Sequence, residues 1–282
     1  MISTQSLMTN PTELLKQRYG VDAFDPEIPW SDFITTLLSH RSVRAYTDKP
    51  LPPGTLETLV AAAQSAATSS NLQTWSVVAV EEPQRKEKLA QLANNQVHIR
   101  QCPLFLVWLA DLARLTYIAE SRGLPHEGLD YLEMFLMAVV DAALAAQNAV
   151  IAAESLGLGT VYIGAMRNRP EEVAQVLGLP PHVFAVFGLC VGYPDLTANT
   201  VVKPRLPQSV VLHQETYHLA EQENGIAFYD QLMQDFYNSQ QMNVPSDSDW
   251  SEHSVKRVAS AKSLSGRDRL REALQNLGFL LH

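Results

Sequence analysis

Apolar and polar positions alternate along this chain in a pattern that predicts interleaved helices and strands. Continuous apolar runs of strand length occur at residues 75–80, 104–109, 160–163 and 184–191. Apolar residues at helical spacing predict helices over residues 12–19, 30–38, 56–67, 83–92, 131–156, 221–237 and 267–277, with a further helix opening at 169–172. No Gly-x-Gly-x-x-Gly follows a strand, so the pattern does not support a dinucleotide-binding Rossmann unit.

Polar stretches separate these elements. Residues 114–130 contain glycine and proline and predict a mobile excursion over a site, while residues 238–251 predict a flexible link. The segment after Tyr193 predicts an extended arm. The long apolar segment 131–156 carries several acids, Asp141 among them, which argue against a membrane span. We therefore expect a helix that is buried on most sides.

Composition is that of a globular protein. Of the 282 residues, 46% are hydrophobic and 18% charged, and the net charge of −9 disfavours a nucleic-acid partner. The two cysteines, Cys102 and Cys190, have no metal-ligand spacing and no disulfide framework, so we expect free buried thiols and a reducing cytoplasm. The N-terminal residues lack a basic region followed by an apolar core, so we expect no signal peptide, and we expect no metal site.

Basic side chains concentrate in two short segments. His40, Arg41, Ser42 and Arg44 lie on a connection between two predicted helices, and Lys203 and Arg205 form a second basic element far downstream. Such dense positive charge on an acidic chain is typical of a site for one anion, such as a phosphate on a small molecule. The alternative is a solvated basic turn in which Ser42 is only a turn cap.

These two segments and five others between them follow one another in a characteristic order: residues 40–44, 68–73, 95–98, 146–159, 162–165, 187–192 and 203–207. In that order, across residues 30–220, the chain resembles the nitroreductase family of FMN-dependent oxidoreductases. The branch of oxygen-insensitive NADPH nitroreductases and NADPH-flavin oxidoreductases is the most similar. The resemblance implies an α+β fold with a mixed, mostly antiparallel central sheet surrounded by helices. It also implies an intertwined homodimer with FMN at the interface.

The resemblance also implies roles for particular residues. His40, Ser42, Lys203 and Arg205 would bind the FMN phosphate, and Arg44 would lie near the ribityl chain and the pyrimidine edge. The remaining implied cofactor contacts are Arg41, Thr68, Ser69, Ser70, Gln73, Gln96, Tyr162, Ile163, Gly164 and Ala165. Of these, Gln96 would bind the polar edge of the ring, and Gly164 and Ala165 would offer backbone N–H groups near N5 and O4.

Each of these positions also has an ordinary structural explanation. Residues 68–70 could be only a loop that ends a helix, Gln96 could be turn surface, and Gly164 could be a strand-end glycine. By the same resemblance, the division is an N-terminal extension over 1–29, an FMN-binding core over 30–220 and a C-terminal helical extension over 221–282.

The implied activity is two-electron, ping-pong transfer from NADPH or NADH, through tightly bound FMN, to a nitroaromatic, quinone or flavin. No catalytic side chain is expected, because the cofactor carries the chemistry. The alternatives are a flavin-binding protein without turnover, or an FMN-dependent dehalogenase or dehydrogenase on the same fold. Two departures from close relatives are Ala165, where a second glycine is common, and Asn71, where an aromatic is common.

A third departure concerns the electron donor. Residues 244–250 are acidic where close relatives carry paired arginines suited to the 2′-phosphate of NADPH. The preference between NADPH and NADH is therefore left open. Four cations further along the chain could substitute for those arginines: Lys256, Arg257, Arg267 and Arg269.

Overall fold

A computed structural model describes residues 10–21, 28–240 and 249–282. Its α-helices are α1 (Pro11–Tyr19), α2 (Asp32–Leu38), α3 (Thr55–Gln64), α4 (Pro83–Leu92), α5 (Val97–Gln101), α6 (Ala113–Arg122), α7 (Leu132–Ser155), α8 (Pro170–Leu177), α9 (Gln208–Val211), α10 (Glu223–Ser239), α11 (Trp250–Arg257) and α12 (Leu270–Asn276). Its strands are β1 (Trp75–Val80), β2 (Leu104–Asp111), β3 (Gly159–Ile163) and β4 (Val183–Gly192). Short 3₁₀ helices occur at Ser69–Asn71, Glu127–Asp130, Gly164–Arg167, Ala220–Gln222, Ala261–Leu264 and Arg267–Arg269.

The four strands form one sheet in the order β1-β2-β4-β3, and every neighbouring pair is antiparallel. All eight residues of β2 are buried, which explains why its sequence is a continuous apolar run. An isolated parallel bridge joins Ser42 to Thr160 of β3, so the chain at Ser42 lies against this edge of the sheet. The expected α+β class and mostly antiparallel sheet are confirmed.

Helices cover both faces of the sheet. On one face, Phe105 and Val107 of β2 pack in a core cluster with Leu89 of α4. On the other face, Leu106 and Trp108 pack with the alanine-rich side of α7. Alternate residues of β2 therefore point to different cores, as the two-residue period of a strand requires.

Helix α7 departs from the expectation that it is buried on most sides. One side carries buried alanines and Asp141, but Leu132, Leu136, Val140 and Leu144, spaced four apart, are each 44–54% exposed. By length and composition alone this helix could cross a membrane, and 39% of its most apolar 18-residue stretch is buried. Its charges therefore do not exclude a membrane span, contrary to our expectation. A core helix of a globular protein passes the same test, and the inner side of α7 is a core face.

Both cysteines are free and fully buried, as predicted. Cys102 directly precedes the loop into β2, and Cys190 lies on β4 opposite Phe105. Both belong to the same core cluster. Burial raises the pKa of the Cys190 thiol, because the thiolate would be poorly solvated there.

The chain divides into two compact units, one of Met1–Arg41 with Asn199–Ser263 and one of Ser42–Ala198 with Leu264–His282. In the first unit, Tyr229, Met233 and Tyr237 of α10 form a small core against which Trp250 packs. The sheet, its two faces and α12 belong to the second unit. The three-part division into 1–29, 30–220 and 221–282 stays a prediction.

Three expected irregular segments contain helices. Residues 114–130, predicted as a mobile excursion, form most of α6 and the 3₁₀ helix Glu127–Asp130. The arm after Tyr193 includes α9. The link over 238–251 lies largely outside the described residues, but its last part, from Trp250, begins α11.

Candidate functional site

In the first unit, a buried arginine joins the two basic segments. Arg18, 5% exposed, donates from Nη1 to the carbonyl of Lys203 at 2.8 Å and from Nη2 to the carbonyls of Leu38 and His40 at 2.8 and 3.0 Å. In return, the N–H of Arg205 donates to the Arg18 carbonyl at 2.8 Å. The structure therefore brings His40, Lys203 and Arg205 together, although about 160 residues separate them along the chain.

Backbone carbonyl groups orient the guanidinium of Arg205. Arg205 donates from Nη1 to the carbonyls of Lys203 and Pro204 at 3.2 Å each, and Tyr229 Oη donates to the Pro204 carbonyl at 3.0 Å. Within the described part of the chain, neither Arg41 nor Arg205 forms an ion pair with a carboxylate. Guanidinium groups held in this way are suited to an anion from outside the chain.

In the second unit, Arg44 lies near His98 and Gln96. His98 Nε2 and Gln96 Oε1 are 2.8 Å apart, and Arg44 is exposed. Burial, and next the positive charge of Arg44, lower the pKa of His98 from its usual 6.5. The imidazole of His98 and the exposed Arg44 guanidinium therefore belong to one polar patch. The half-buried Ser42, two residues before Arg44, is held by the isolated bridge to Thr160.

The predicted residues of the 68–73 segment lie on one loop. Thr68 Oγ1 donates to the buried Asp141 carboxylate at 2.5 Å, whereas Ser69, Ser70 and Gln73 are exposed. An open cavity of about 500 Å³ lies between this loop and α7. The loop thus presents polar groups at the surface while its base is anchored inside.

The 162–165 segment ends β3 and begins a 3₁₀ helix at Gly164. The side chains of Ile163 and Ala165 are buried in the core, so only their backbone could contact a ligand. The N–H groups of Gly164 and Ala165 fall in a first helical turn, where N–H groups have no partner within the helix. Tyr162 packs edge-on against Phe187 at 5.1 Å, and burial, followed by the charge of Glu154, raises its pKa.

Gly164 has room for a side chain. A Cβ there would meet only the Arg167 guanidinium, at 3.5 Å from Nη2, and its backbone is not left-handed. Nothing in the described packing therefore requires glycine at this position. This agrees with a backbone kept bare so that a flat ligand can approach it closely.

Sequence reasoning missed residues whose partners are distant. Arg18 lies on α1 and carries no sequence signal of its role, because its carbonyl partners cannot be seen from the sequence. Arg167, beside Gly164, donates to the Val186 carbonyl at 2.5 Å. Burial, and then the charge of Arg267, lower the pKa of Arg167. In the described ranges, no cluster of three or more His, Cys, Asp or Glu residues could hold a metal ion.

Comparison with known proteins gives matches over most of the chain. The Nitroreductase family matches residues 37–193, and the Nitroreductase family C-terminal domain matches residues 203–282. The FMN reductase (NADPH) of Bacillus subtilis (strain 168) is 42% identical over 223 residues, 78% of this chain and 88% of that protein. An FMN reductase of the same organism that is named for NAD(P)H is 39% identical over 252 residues, 88% of this chain and 98% of that protein.

The fold agrees with solved structures. The NfrA1 nitroreductase from B. subtilis superposes with a TM-score of 0.82 at 38% identity, covering 88% of this chain and 99% of that one. The α+β architecture is therefore shared over most of both chains.

Proposed function

Because the chain belongs to the nitroreductase family, we propose that it is an FMN-dependent NAD(P)H oxidoreductase that reduces nitroaromatic compounds, quinones or flavins. The observation that carries this function is the extent of the family match. Residues 37–193 and 203–282 together include every candidate site residue from His40 to Arg205. Relatives named as FMN reductases for NADPH and for NAD(P)H support both the cofactor and the donor.

The residues present fit FMN. A phosphate dianion needs several cations, and Arg18 holds the carbonyls of His40 and Lys203 so that the basic segments lie side by side. In the second unit, Arg44 and Gln96 supply charge and hydrogen bonds for a polar ring edge, and Gly164 leaves the space that a flat ring would need. When bound, FMN accepts a hydride from NAD(P)H and passes two electrons to the acceptor.

We assign the protein's own contribution as follows. His40, Ser42, Lys203 and Arg205 bind the phosphate, Arg41 is a further cofactor contact, and Arg44 and Gln96 bind the pyrimidine edge. Thr68, Ser69, Ser70 and Gln73 supply polar contacts from their loop, and the 162–165 segment supplies backbone N–H groups. Positive charge from Arg44 favours negative charge on the neighbouring ring edge and so makes reduction easier. No side chain is required as a nucleophile or general base.

We also propose a homodimer. Leu132, Leu136, Val140 and Leu144 give α7 a continuous exposed apolar stripe, which is costly to leave in water. A second copy of the chain would cover this stripe, and side chains at four-residue spacing suit helix packing. The free, buried cysteines support a reducing cytoplasmic location.

The visible spectrum of the purified protein tests the function. We expect a yellow flavoprotein that bleaches on anaerobic addition of NADPH or NADH and recovers its colour with a nitroaromatic or quinone. Yellow protein that does not bleach would indicate a flavin-binding protein without turnover, and colourless protein that cannot be loaded with FMN would refute the proposal.

Two further measurements refine it. Flavin released by heat should run as FMN on a column, because the sequence contains no pyrophosphate-binding loop. Recovery of mostly FAD would contradict the phosphate assignment. The native mass should be twice that of the 31.3 kDa chain, and a flavin-loaded single chain would contradict the dimer.

A further inference from the structure

The loop of residues 68–74 (the 68–74 loop) contains residues in an energetically unfavourable backbone conformation. Ser70, Asn71 and Gln73 lie in the left-handed region, with φ of 48°, 55° and 53°, and none of them is glycine. L-residues adopt this conformation at an energetic cost, so it persists only where surrounding contacts determine it. The contacts that do so come from opposite sides of the loop and carry opposite charge.

On the inner side, one buried carboxylate accepts the loop's hydrogen-bond donors. Asp141 of α7, 2% exposed, accepts from Thr68 Oγ1 at 2.5 Å, from the Ser69 N–H at 3.3 Å, and from the N–H and Oγ1 of Thr74 at 3.1 Å each. The Thr68 hydroxyl in turn accepts from the Gln73 N–H at 3.0 Å. Asp141 therefore fixes both ends of the loop directly, and through Thr68 it also holds Gln73, next to the second end.

On the outer side, one guanidinium donates to the loop's carbonyl groups. Arg114 of α6 donates from Nη1 to the Gln73 carbonyl at 2.7 Å and from Nη2 to the Trp75 carbonyl at 3.2 Å. Its Nη2 also contacts Ser76 Oγ at 2.7 Å and the Asp111 carboxylate at 3.3 Å, which orient the guanidinium. The cation thus holds the same end of the loop that Asp141 holds from inside.

We propose that Asp141 and Arg114 are positioning residues that set the 68–74 loop, so that its exposed polar groups are already placed for the flavin before it binds. This inference rests on the proposed function, which assigns Ser69, Ser70 and Gln73 to the cofactor. Preorganisation raises affinity because the cost of ordering the loop is met during folding and not during binding. Neither residue is assigned a contact with the flavin.

Arg114→Gln tests the outer contact, with Arg122→Gln as its control on the same helix. Both changes remove one positive charge, but Arg122 is exposed and has no bond to the loop. Asp141→Asn tests the inner contact, because its amide NH₂ would face an N–H or O–H donor of the loop. Glu133→Gln is the control, since it neutralises an exposed carboxylate of α7.

The readouts are the FMN dissociation constant, from quenching of flavin fluorescence on titration of apoprotein, and the melting temperature of each apoprotein. We expect Arg114→Gln to weaken FMN roughly tenfold relative to Arg122→Gln, with similar apoprotein melting temperatures. Asp141→Asn should weaken FMN at least as much and also lower the melting temperature, because it leaves buried donors unpaired.

If Arg114→Gln binds FMN within about twofold of Arg122→Gln, the loop does not need this anchor and the inference is overturned. That result does not depend on whether Asp141→Asn folds. Failure of the wild-type chain to bind FMN would instead refute the proposed function itself, so the two failures are distinguishable.

Discussion

Replacing Gly164 by alanine separates a role in folding from a role in binding. The added Cβ would meet only the Arg167 guanidinium, with Nη2 at 3.5 Å, Nη1 at 3.8 Å and Cζ at 4.0 Å, all ordinary contact distances. The backbone at 164 is not left-handed, so alanine adopts it without strain. Alanine also restricts the unfolded chain, which stabilises a compatible site by about 0.4–1 kcal/mol. We therefore expect Gly164→Ala apoprotein to be as stable as the wild type or slightly more so.

The effect on FMN should have the opposite sign. If the backbone at 164 lies against the flavin ring, the new methyl group occupies space that the ring needs. Forcing a methyl group into a packed contact costs about 1–3 kcal/mol. That range corresponds to a dissociation constant for FMN about fivefold to about 150-fold higher.

Gly188→Ala is the matched control for this experiment. Its Cβ would lie 2.3 Å from Cζ and 2.5 Å from Cε2 of the buried Phe105 ring, so the fold itself must shift. We expect that variant to lose about 1–3 kcal/mol of unfolding free energy. Calorimetry of the apoproteins and fluorescence titration with FMN measure the two effects separately. Unchanged FMN affinity in Gly164→Ala would show that the backbone there does not approach the flavin, and an apoprotein as unstable as Gly188→Ala would show that packing explains the glycine.

Three other predictions concern charge. Arg44→Ala and Lys203→Ala should each weaken FMN by about 1.5–3 kcal/mol, but only Arg44→Ala should make the flavin harder to reduce, and equal shifts of the midpoint potential in both variants would contradict the separate roles. In the apoprotein, the pKa of His98 should lie below 6.5, so the contribution of His98 to stability is present above pH 6.5 and declines as the pH falls below it. Arg44→Ala should raise this pKa only in part, because burial is the larger cause of the shift, and an unchanged NMR titration curve of His98 would refute the effect of Arg44. Discrimination between NADPH and NADH should be less than about a hundredfold in kcat/KM, since a single arginine contact is worth no more than that. Most of the acidic 244–250 link lies outside the described residues, but Asp249 caps α11. Arg257 is exposed and has no partner in the described ranges, so if it binds the 2′-phosphate of NADPH, Arg257→Ala should abolish any NADPH preference.

Where local patterns decide an element, the sequence was sufficient to predict it. Strand β1 and helix α4 have the predicted bounds, because a run of apolar residues or a proline at the first turn marks each of them. The sequence predicts an irregular excursion where α6 lies, because the residues that end this helix have the composition of a loop. Gly123, at φ 63°, closes the helix, and Pro125 follows it. At the start of α6, the Arg114 N–H donates to the Asp111 side chain at 3.3 Å. Leu112, directly before the helix, makes no capping bond with its side chain.

The site shows the same limit at longer range. The residue types that bind an anion are visible in the sequence as a basic cluster, but Arg18 is not, because its partners are backbone carbonyls at residues 38, 40 and 203. Asp141 did leave a signal, since an acid on the alanine side of a long helix needs partners wherever it is buried. Its partners, on a loop about 70 residues earlier, depend on the tertiary fold alone.

The reactivity of the two buried thiols reports on local opening of the structure around the sheet. The chain has only two cysteines, both fully buried in one core cluster, so a thiol reagent can react only when the structure around β2 and β4 opens. The rate of labelling in native buffer therefore measures the free energy of that opening without any substitution in the chain. Repeating the measurement at increasing FMN concentration would show how far a bound cofactor suppresses opening at a distance from its own contacts. No engineered label is needed to connect ligand binding with the stability of the core.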